Sequence, residues 1–204
     1  MQPIKNIIFD LGGVFLNLNY QLTQDAFTQA GVKNFKELFT QHHSNKLFIE
    51  LEIGKITEED FYNAFRKETQ TNLTNDAIKN AWNAMLLNFP KERIEWLEQI
   101  NKKYNVFLFS NTNQIHYTAF MNIIKQTFGS LNFNGLFIKA YYSHQIGLRK
   151  PNKTSFEFIL NEQNLKVEET LFIDDTLENI EAAKQIGLQT VHLVAPKTVI
   201  DLGL

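Results

Sequence analysis

The sequence contains no cysteine among its 204 residues. This absence excludes disulfide bonds, zinc sites built on thiolates and cysteine nucleophiles, and it agrees with a reducing compartment. An excess of positive charge is also missing, because 20 basic residues stand against 22 acidic ones. Without a basic field, the chain is not expected to bind nucleic acid or an anionic membrane surface.

Long hydrophobic runs are missing as well. No apolar stretch approaches the roughly 20 residues that span a membrane, and the first residues lack the pattern of a signal peptide. Apolar residues nevertheless make up 44% of the chain and aromatic residues 13%, so the chain can bury a sizeable core. We expect a soluble cytoplasmic protein that is a monomer or a dimer.

The first apolar run, residues 6–9, predicts a buried parallel strand that ends at Asp10. The carboxylate would lie at the carboxyl edge of a sheet, where open α/β sheets bind ligands. Gly12 and Gly13 follow, and adjacent glycines let the backbone turn sharply and approach an anion. Asp10 would then face a phosphate or a metal, although an acid in a tight strand-to-helix turn is the simpler interpretation of this segment alone.

Helical patterns cover residues 20–99, with no strand signal between them. Thr57 and Thr74 each precede an apolar face of helical period, so both are predicted N-terminal caps. A block of helices inserted directly after the first strand predicts a separate helical subdomain that stands over the carboxyl edge of the sheet.

Strand and helix patterns alternate from residue 106 onwards, which predicts a doubly wound parallel sheet. The predicted fold is therefore α/β. Its Rossmann-like core would consist of residues 1–15 and 91–204, and its inserted all-helical cap of residues 16–90.

Three later strand patterns are each followed by polar residues that are candidates for the site. Ser110 and Asn111 follow one strand and would bind phosphate oxygens, unless they only cap the next helix. Lys150 follows the next in a Lys-Pro turn, and Asp174 and Asp175 follow the third. Paired carboxylates repel each other unless a cation or a proton lies between them, although such a pair can also cap a helix. Parallel strands bring all these groups to one edge of the sheet.

This ordered set of an acid, Ser-Asn, Lys-Pro and Asp-Asp resembles the haloacid dehalogenase superfamily over nearly the whole chain. The segments 9–14, 110–113, 147–151 and 174–180 are similar to bacterial sugar-phosphate phosphatases of the glucose-1-phosphate phosphatase type. The resemblance implies Mg²⁺-dependent hydrolysis of a small phosphorylated metabolite, such as glucose 1-phosphate, through an aspartyl-phosphate intermediate.

The resemblance also implies a role for each matched side chain. Asp10 would attack phosphorus, Lys150 would neutralise charge beside it and bind phosphate, and Asp174 would support the site. Ser110 and Asn111 would bind the oxygens of the transferred phosphoryl group.

The implied Mg²⁺ ligands are Asp10, the backbone carbonyl of Gly12 and Asp175. Most phosphatases of the superfamily carry a second aspartate at the position of Gly12, which protonates the leaving oxygen and later activates water. Its loss would cost on the order of 10²- to 10⁴-fold where proton transfer limits the rate, so Gly12 fits a good leaving group such as the anomeric oxygen of a sugar 1-phosphate. Water or a cap residue would handle the proton. Glu52 is one candidate, although an exposed glutamate is the commoner interpretation.

Two alternatives stay open. A metal-free 2-haloacid dehalogenase also lacks the second aspartate, but Asp174 and Asp175 beside Asp10 favour a dication. A non-catalytic phosphate-ligand binding protein would follow if the change at Gly12 ended turnover. No role is assigned to three histidines that could reach a substrate, His42, His43 and His116.

Overall fold

The computed structural model describes residues 3–204, which contain seven β-strands. In chain order the strands are β1 (Asn6–Phe9), β2 (Phe39–Thr40), β3 (His43–Ser44), β4 (Asn105–Ser110), β5 (Lys139–Tyr142), β6 (Thr170–Asp174) and β7 (Gln189–His192). Five of them form one sheet in the spatial order β5-β4-β1-β6-β7, and every neighbouring pair in it is parallel. The predicted doubly wound α/β core is therefore confirmed.

Ten α-helices lie in the same part of the chain. They are α1 (Tyr20–Gln29), α2 (Phe35–Leu38), α3 (Lys46–Glu52), α4 (Glu58–Thr69), α5 (Asn75–Asn83), α6 (Lys91–Ile100), α7 (Gln114–Phe128), α8 (Ser143–Ile146), α9 (Lys153–Glu162) and α10 (Leu177–Gln185). The caps predicted at Thr57 and Thr74 are both present, and Thr57 forms a reciprocal capping box with Asp60. None of the described helices combines the length and apolarity that crossing a bilayer requires.

Strand β1 is the centre of the sheet and all four of its residues are buried. Its last residue, Phe9, pairs with Leu108 of β4 on one side and with Ile173 of β6 on the other. The three strands are thus in register at their carboxyl ends. The polar residues that follow or close them must meet at one edge of the sheet.

The inserted helices pack around a hydrophobic cluster that is distinct from the two clusters on the faces of the sheet. Aromatic side chains dominate it, including Phe27, Phe48, Phe61, Phe65 and Trp82. The division into a core of residues 1–15 and 91–204 and a cap of residues 16–90 stays a prediction, which this separate cluster supports. Phe89 packs with the sheet rather than with the cap.

The cap also contains an element that the sequence did not indicate. Strands β2 and β3 form a two-stranded antiparallel ribbon, in which Phe39 pairs with Ser44 and Thr40 with His43. Phe39 is buried, with its ring centroid 4.5 Å from that of Trp82. Strands of two residues are too short for an alternating pattern to be visible. The cap is therefore helical with one small ribbon, rather than all-helical.

Candidate active site

Lys150 lies at the centre of the polar edge and joins two carboxylates. Its Nζ donates hydrogen bonds to Asp10 Oδ1 at 2.6 Å and to Asp174 Oδ2 at 2.7 Å. The side chain is almost fully buried, and Nζ lies over the rings of Phe109 and Phe172. Because charge-assisted hydrogen bonds are short and directional, Lys150 fixes the rotamer of Asp10.

Asp174 is fully buried, and both of its carboxylate oxygens accept hydrogen bonds from the protein. Its Oδ1 accepts from the backbone N–H of Thr176 at 2.8 Å, and both of its oxygens lie 3.1 Å from Nδ2 of Asn179. With Lys150 on Oδ2, this carboxylate has no oxygen left to offer a ligand. It acts as the anchor of Lys150.

Asp175 is the acid of the pair that faces the cleft. Its Oδ1 accepts from the hydroxyl of Thr176 at 3.2 Å, and Oδ2 lies 3.5 Å from Nε2 of Gln41 in the cap. Gly13 makes this approach feasible, since a Cβ built there would lie 2.3 Å from Asp175 Oδ2. Gly13 also has a φ of +69°, a conformation that other residues rarely adopt.

The acid cluster carries more negative charge than Lys150 can balance. Burial raises the pKa of Asp10 to about 7, and the carboxylates of Asp174 and Asp175 add to this rise while Lys150 opposes it. Burial and Asp174 together raise the pKa of Asp175 to about 6. Burial alone would lower the pKa of Lys150, but its two carboxylate partners outweigh burial and raise it.

The cluster fits a hard divalent cation. Asp10, Asp174 and Asp175 each place one carboxylate oxygen within 4.8 Å of the others. Because the oxygens of Asp174 already accept hydrogen bonds from the protein, Asp10 and Asp175 are the two that can serve as ligands. The convergence expected from the strand order is therefore present. Oxygen ligands of this kind suit Mg²⁺, which also neutralises such a cluster.

Asn111 lines the cleft, but its side chain has a different partner from the one the sequence implied. Its Nδ2 donates to the carbonyl of Lys150 at 2.9 Å, and its Oδ1 accepts from the N–H of Lys150 at the same distance. The NH₂ and the carbonyl oxygen of the side-chain amide are therefore both used to hold the backbone of Lys150. The group of Asn111 that is left to bind phosphate is its backbone N–H.

Three backbone N–H groups near Asp10 have no hydrogen-bond acceptor among the residues that the structure describes, those of Leu11, Gly12 and Asn111. Leu11 is buried, Gly12 and Asn111 are partly buried, and unpaired N–H groups that point to one place can bind an anion or water. Ser110 closes β4 nearby, is buried and lines a smaller inner pocket next to the main cleft. Together these groups form a cradle suited to phosphate oxygens.

The main cleft has a volume of about 350 Å³ and is bounded by both the core and the cap. Glu52 is one of its cap residues and is only 8% exposed, so the interpretation as an exposed glutamate is wrong. Its Oε2 lies 2.9 Å from Nε of Arg149, the residue before Lys150. Tyr20 lines the cleft too, and no sequence signal marked it, since it is simply the first residue of α1.

The three candidate histidines divide into two groups. His42 and His43 line the cleft, and His42 Nδ1 lies 3.7 Å from the carboxylate of Glu178. His116 is buried outside the main cleft, stacked on Trp82 and within 3.1 Å of its carbonyl oxygen. Burial lowers the pKa of His116 to about 4, so this ring is a neutral packing element between core and cap.

Comparison with known proteins agrees with this geometry. A family model of haloacid dehalogenase-like hydrolases matches residues 4–187. The chain belongs to this family. The predicted family and its enzyme class, a hydrolase, are thus confirmed.

Individual members of the haloacid dehalogenase family resemble the chain over most of its length. It is 29% identical over 187 residues to D-ribitol-5-phosphate phosphatase of Bacteroides thetaiotaomicron, covering 92% of this chain and 90% of the relative. A family enzyme of the same organism, crystallised with magnesium and inorganic phosphate, is 29% identical with a TM-score of 0.83, covering 95% and 96% of the two chains. A family hydrolase of Porphyromonas gingivalis is 30% identical with a TM-score of 0.83, covering 93% and 91%.

Proposed function

We propose that this protein is a Mg²⁺-dependent phosphatase that hydrolyses monophosphates of small sugars or sugar alcohols through an aspartyl-phosphate on Asp10. The convergence of Asp10, Lys150 and Asp175 beneath a cleft shared with the cap carries the proposal. The relatives named above support it, because one is a ribitol-5-phosphate phosphatase and another binds magnesium and phosphate. Ribitol 5-phosphate therefore joins glucose 1-phosphate as a candidate substrate. The cytoplasmic location and the monomeric or dimeric state stay predictions.

The reaction would proceed in two displacements at phosphorus. A carboxylate oxygen of Asp10 forms a bond to phosphorus while the bond from phosphorus to the leaving oxygen breaks, and the leaving oxygen takes a proton from water. Water then attacks the same phosphorus, its proton passes to solvent, and the carboxylate of Asp10 departs as inorganic phosphate forms. Lys150 holds Asp10 in position for both displacements.

The remaining groups would bind the phosphoryl group and hold it in line. The donors for this would be the N–H groups of Leu11, Gly12 and Asn111, which follow β1 and β4, and the hydroxyl of Ser110, which closes β4. A Mg²⁺ ion held by Asp10, Asp175 and the carbonyl of Gly12 would offset the repulsion between carboxylate and phosphate. Preorganised donors of this kind stabilise the charge that develops on the phosphoryl oxygens.

Gly12 supplies the one observation that favours a different function. It leaves the chain without the side-chain acid that most of these phosphatases have, so a protein that binds a phosphorylated ligand without turnover is the second candidate. A metal-free dehalogenase is disfavoured because three carboxylates share a single lysine.

Phosphate release from ribitol 5-phosphate, glucose 1-phosphate and 4-nitrophenyl phosphate tests the proposal directly. Each substrate is assayed with Mg²⁺ and with EDTA, and Asp10→Asn is the control. We expect Mg²⁺-dependent release from wild type and a loss of about 10³-fold or more in Asp10→Asn. Saturable binding without phosphate release from any substrate would establish the binding protein instead, and metal-independent halide release from 2-haloacids would establish the dehalogenase.

A further inference from the structure

Glu52 has an unusual position for a charged residue. It is the last residue of α3 and is buried where the main cleft and the smaller inner pocket meet. Its Oε2 is enclosed and forms an ion pair with Arg149 Nε at 2.9 Å, without the alignment of a hydrogen bond. Its Oε1 is not enclosed and accepts no hydrogen bond from the residues that the structure describes. Because Glu52 lines both pockets, Oε1 is the oxygen that can contact a ligand.

The charges around the cleft determine what such an oxygen can bind. Four carboxylates line the cleft, and the cations that line it are Arg149 and Lys150. The carboxylates are those of Asp10, Glu52, Asp175 and Glu178. Arg149 is paired with Glu52, and Lys150 with Asp10 and Asp174. A bound Mg²⁺ and a phosphate dianion would cancel each other's charge. A second anionic group on the substrate would then meet uncompensated negative charge, whereas a hydroxyl group would find an acceptor.

We propose that Glu52 is a specificity-determining residue for the leaving group. Its free oxygen accepts a hydrogen bond from a hydroxyl of a sugar or sugar alcohol, and its charge excludes leaving groups that carry a second anion. This inference rests on the proposed phosphatase function and assigns the chemistry of its substrate. Arg149 acts through Glu52, since it pairs with Oε2 and leaves Oε1 for the substrate.

Arg149 could in principle have the opposite effect, by binding an anionic leaving group itself. Its Nε faces Glu52, however, so the two side chains form a pair without net charge. Burial raises the pKa of Glu52, and Arg149 opposes this rise.

The variant Glu52→Gln tests the proposal with three substrates. Ribitol 5-phosphate offers hydroxyl groups, 2-phosphoglycolate carries a second anion, and 4-nitrophenyl phosphate has neither. In the variant the amide oxygen would turn to Arg149 and place the NH₂ group in the cleft, which replaces an acceptor by a donor. We expect kcat/KM to fall about 10- to 100-fold for ribitol 5-phosphate, to rise about tenfold for 2-phosphoglycolate, and to stay within about threefold for 4-nitrophenyl phosphate.

Glu178→Gln is the matched control, because Glu178 also lines the cleft but its side chain is 58% exposed. The same change of charge there should alter the substrate ratios by less than about threefold. Equal losses on all three substrates in Glu52→Gln would overturn the proposal and show that Glu52 only positions the cap. A wild-type preference for 2-phosphoglycolate over ribitol 5-phosphate would also overturn it, in favour of Arg149 as an anion site.

Failure of this inference can be distinguished from failure of the proposed function. Mg²⁺-dependent hydrolysis of 4-nitrophenyl phosphate by wild type establishes the phosphatase whatever Glu52 does. Thermal unfolding of Glu52→Gln shows whether the variant is folded. If it is not, Glu52→Asp, which keeps the charge but withdraws the oxygen by one methylene, should lose kcat/KM for ribitol 5-phosphate selectively and still reject 2-phosphoglycolate. Equal losses by that variant on ribitol 5-phosphate and 4-nitrophenyl phosphate would contradict the proposal.

Discussion

Leu18 occupies the space that a side chain at residue 12 would need. Its Cδ1 lies 2.6 Å from the position of a Cβ built on Gly12, and the same construction places that Cβ 3.9 Å from Asp10 Oδ2. Real Cβ atoms do not tolerate a neighbour at 2.6 Å, so a side chain here requires Leu18 to move. The missing second aspartate is thus linked to the packing of a neighbouring leucine.

Gly12→Ala should therefore lower the free energy of unfolding by about 1 kcal/mol, the lower end of the range for overpacking, because the one close atom is the end of a partly buried side chain. Combining it with Leu18→Ala should recover about 0.5–1 kcal/mol relative to the sum of the two single changes, because the double variant removes the clash. Urea denaturation of the four proteins measures this coupling. Additive effects would show that Leu18 moves aside at no cost.

Gly13→Ala and Gly31→Ala should both lower stability, but only Gly13→Ala should also weaken Mg²⁺ binding. Gly13 has a φ of +69° and Asp175 at contact distance, whereas Gly31 has a φ of +87° and open space around it. Both alanine variants should lose stability of about 1 kcal/mol or more. Only Gly13→Ala should displace Asp175 and weaken Mg²⁺ binding, by about tenfold or more. Isothermal titration with Mg²⁺ measures this, and equal affinities in the two variants would contradict the assignment.

Asp174 and Asp175 should respond differently to replacement by asparagine. Asp174 anchors Lys150 and is fully buried, so Asp174→Asn should cost about 3–5 kcal/mol of unfolding free energy. Asp175 faces the cleft, so Asp175→Asn should cost little stability and reduce Mg²⁺ affinity about 10- to 100-fold. Denaturation and Mg²⁺ titration of both variants test this. Wild-type Mg²⁺ affinity in Asp175→Asn would remove Asp175 from the metal site.

Binding of Mg²⁺ should depend on pH near neutrality. The pKa of Asp10 is raised to about 7 and that of Asp175 to about 6, mainly by burial, so both carboxyl groups gain protons as the pH falls from 8 to 6. Mg²⁺ must displace these protons, so its affinity should fall about tenfold or more over this range. Calorimetry in buffers of different ionisation enthalpy should detect proton release at pH 7.

The same pKa shifts affect the stability of the metal-free protein. Its folded state binds more protons than the unfolded chain, because the folded pKa of Asp10 is about 7 against an ordinary value of 3.8. The free energy of unfolding without Mg²⁺ should therefore fall as the pH rises from about 4 to about 7. Asp10→Asn should remove the larger part of this slope and leave the part that comes from Asp175, whose pKa is raised to about 6. An unchanged slope in Asp10→Asn would assign it to other groups.

The sequence was sufficient to predict those site residues whose positions are determined by the strands of the sheet. Asp10 and Asp174 end or follow central strands, so recognising those strands was enough to bring them together. The pairing of Glu52 with Arg149 was not accessible in this way, because it depends on how the cap docks against a loop 97 residues further along the chain. The partner of Asn111 was not accessible either, since its amide has the right chemistry for phosphate as well as for a backbone.

Replacement of Asn111 by aspartate tests its role as a positioning residue for Lys150. An aspartate keeps the acceptor for the N–H of Lys150 but turns a carboxylate oxygen towards the Lys150 carbonyl, where the amide now donates at 2.9 Å. The repulsion should shift Lys150 away from Asp10, and small displacements of such groups cost about 10²-fold in rate. We expect kcat to fall about 10- to 100-fold, with a much smaller change in KM.

Asn134→Asp is the matched control, because Asn134 is another partly buried amide, bonded to Tyr117 and Tyr142 and outside both pockets. It should lose stability without a comparable loss of kcat, since neither partner touches Lys150. A rise in KM with kcat unchanged in Asn111→Asp would instead show that Asn111 contributes substrate binding alone. The contrast between the two variants thus isolates the position of the Lys150 ammonium, which sets the rotamer of the attacking carboxylate.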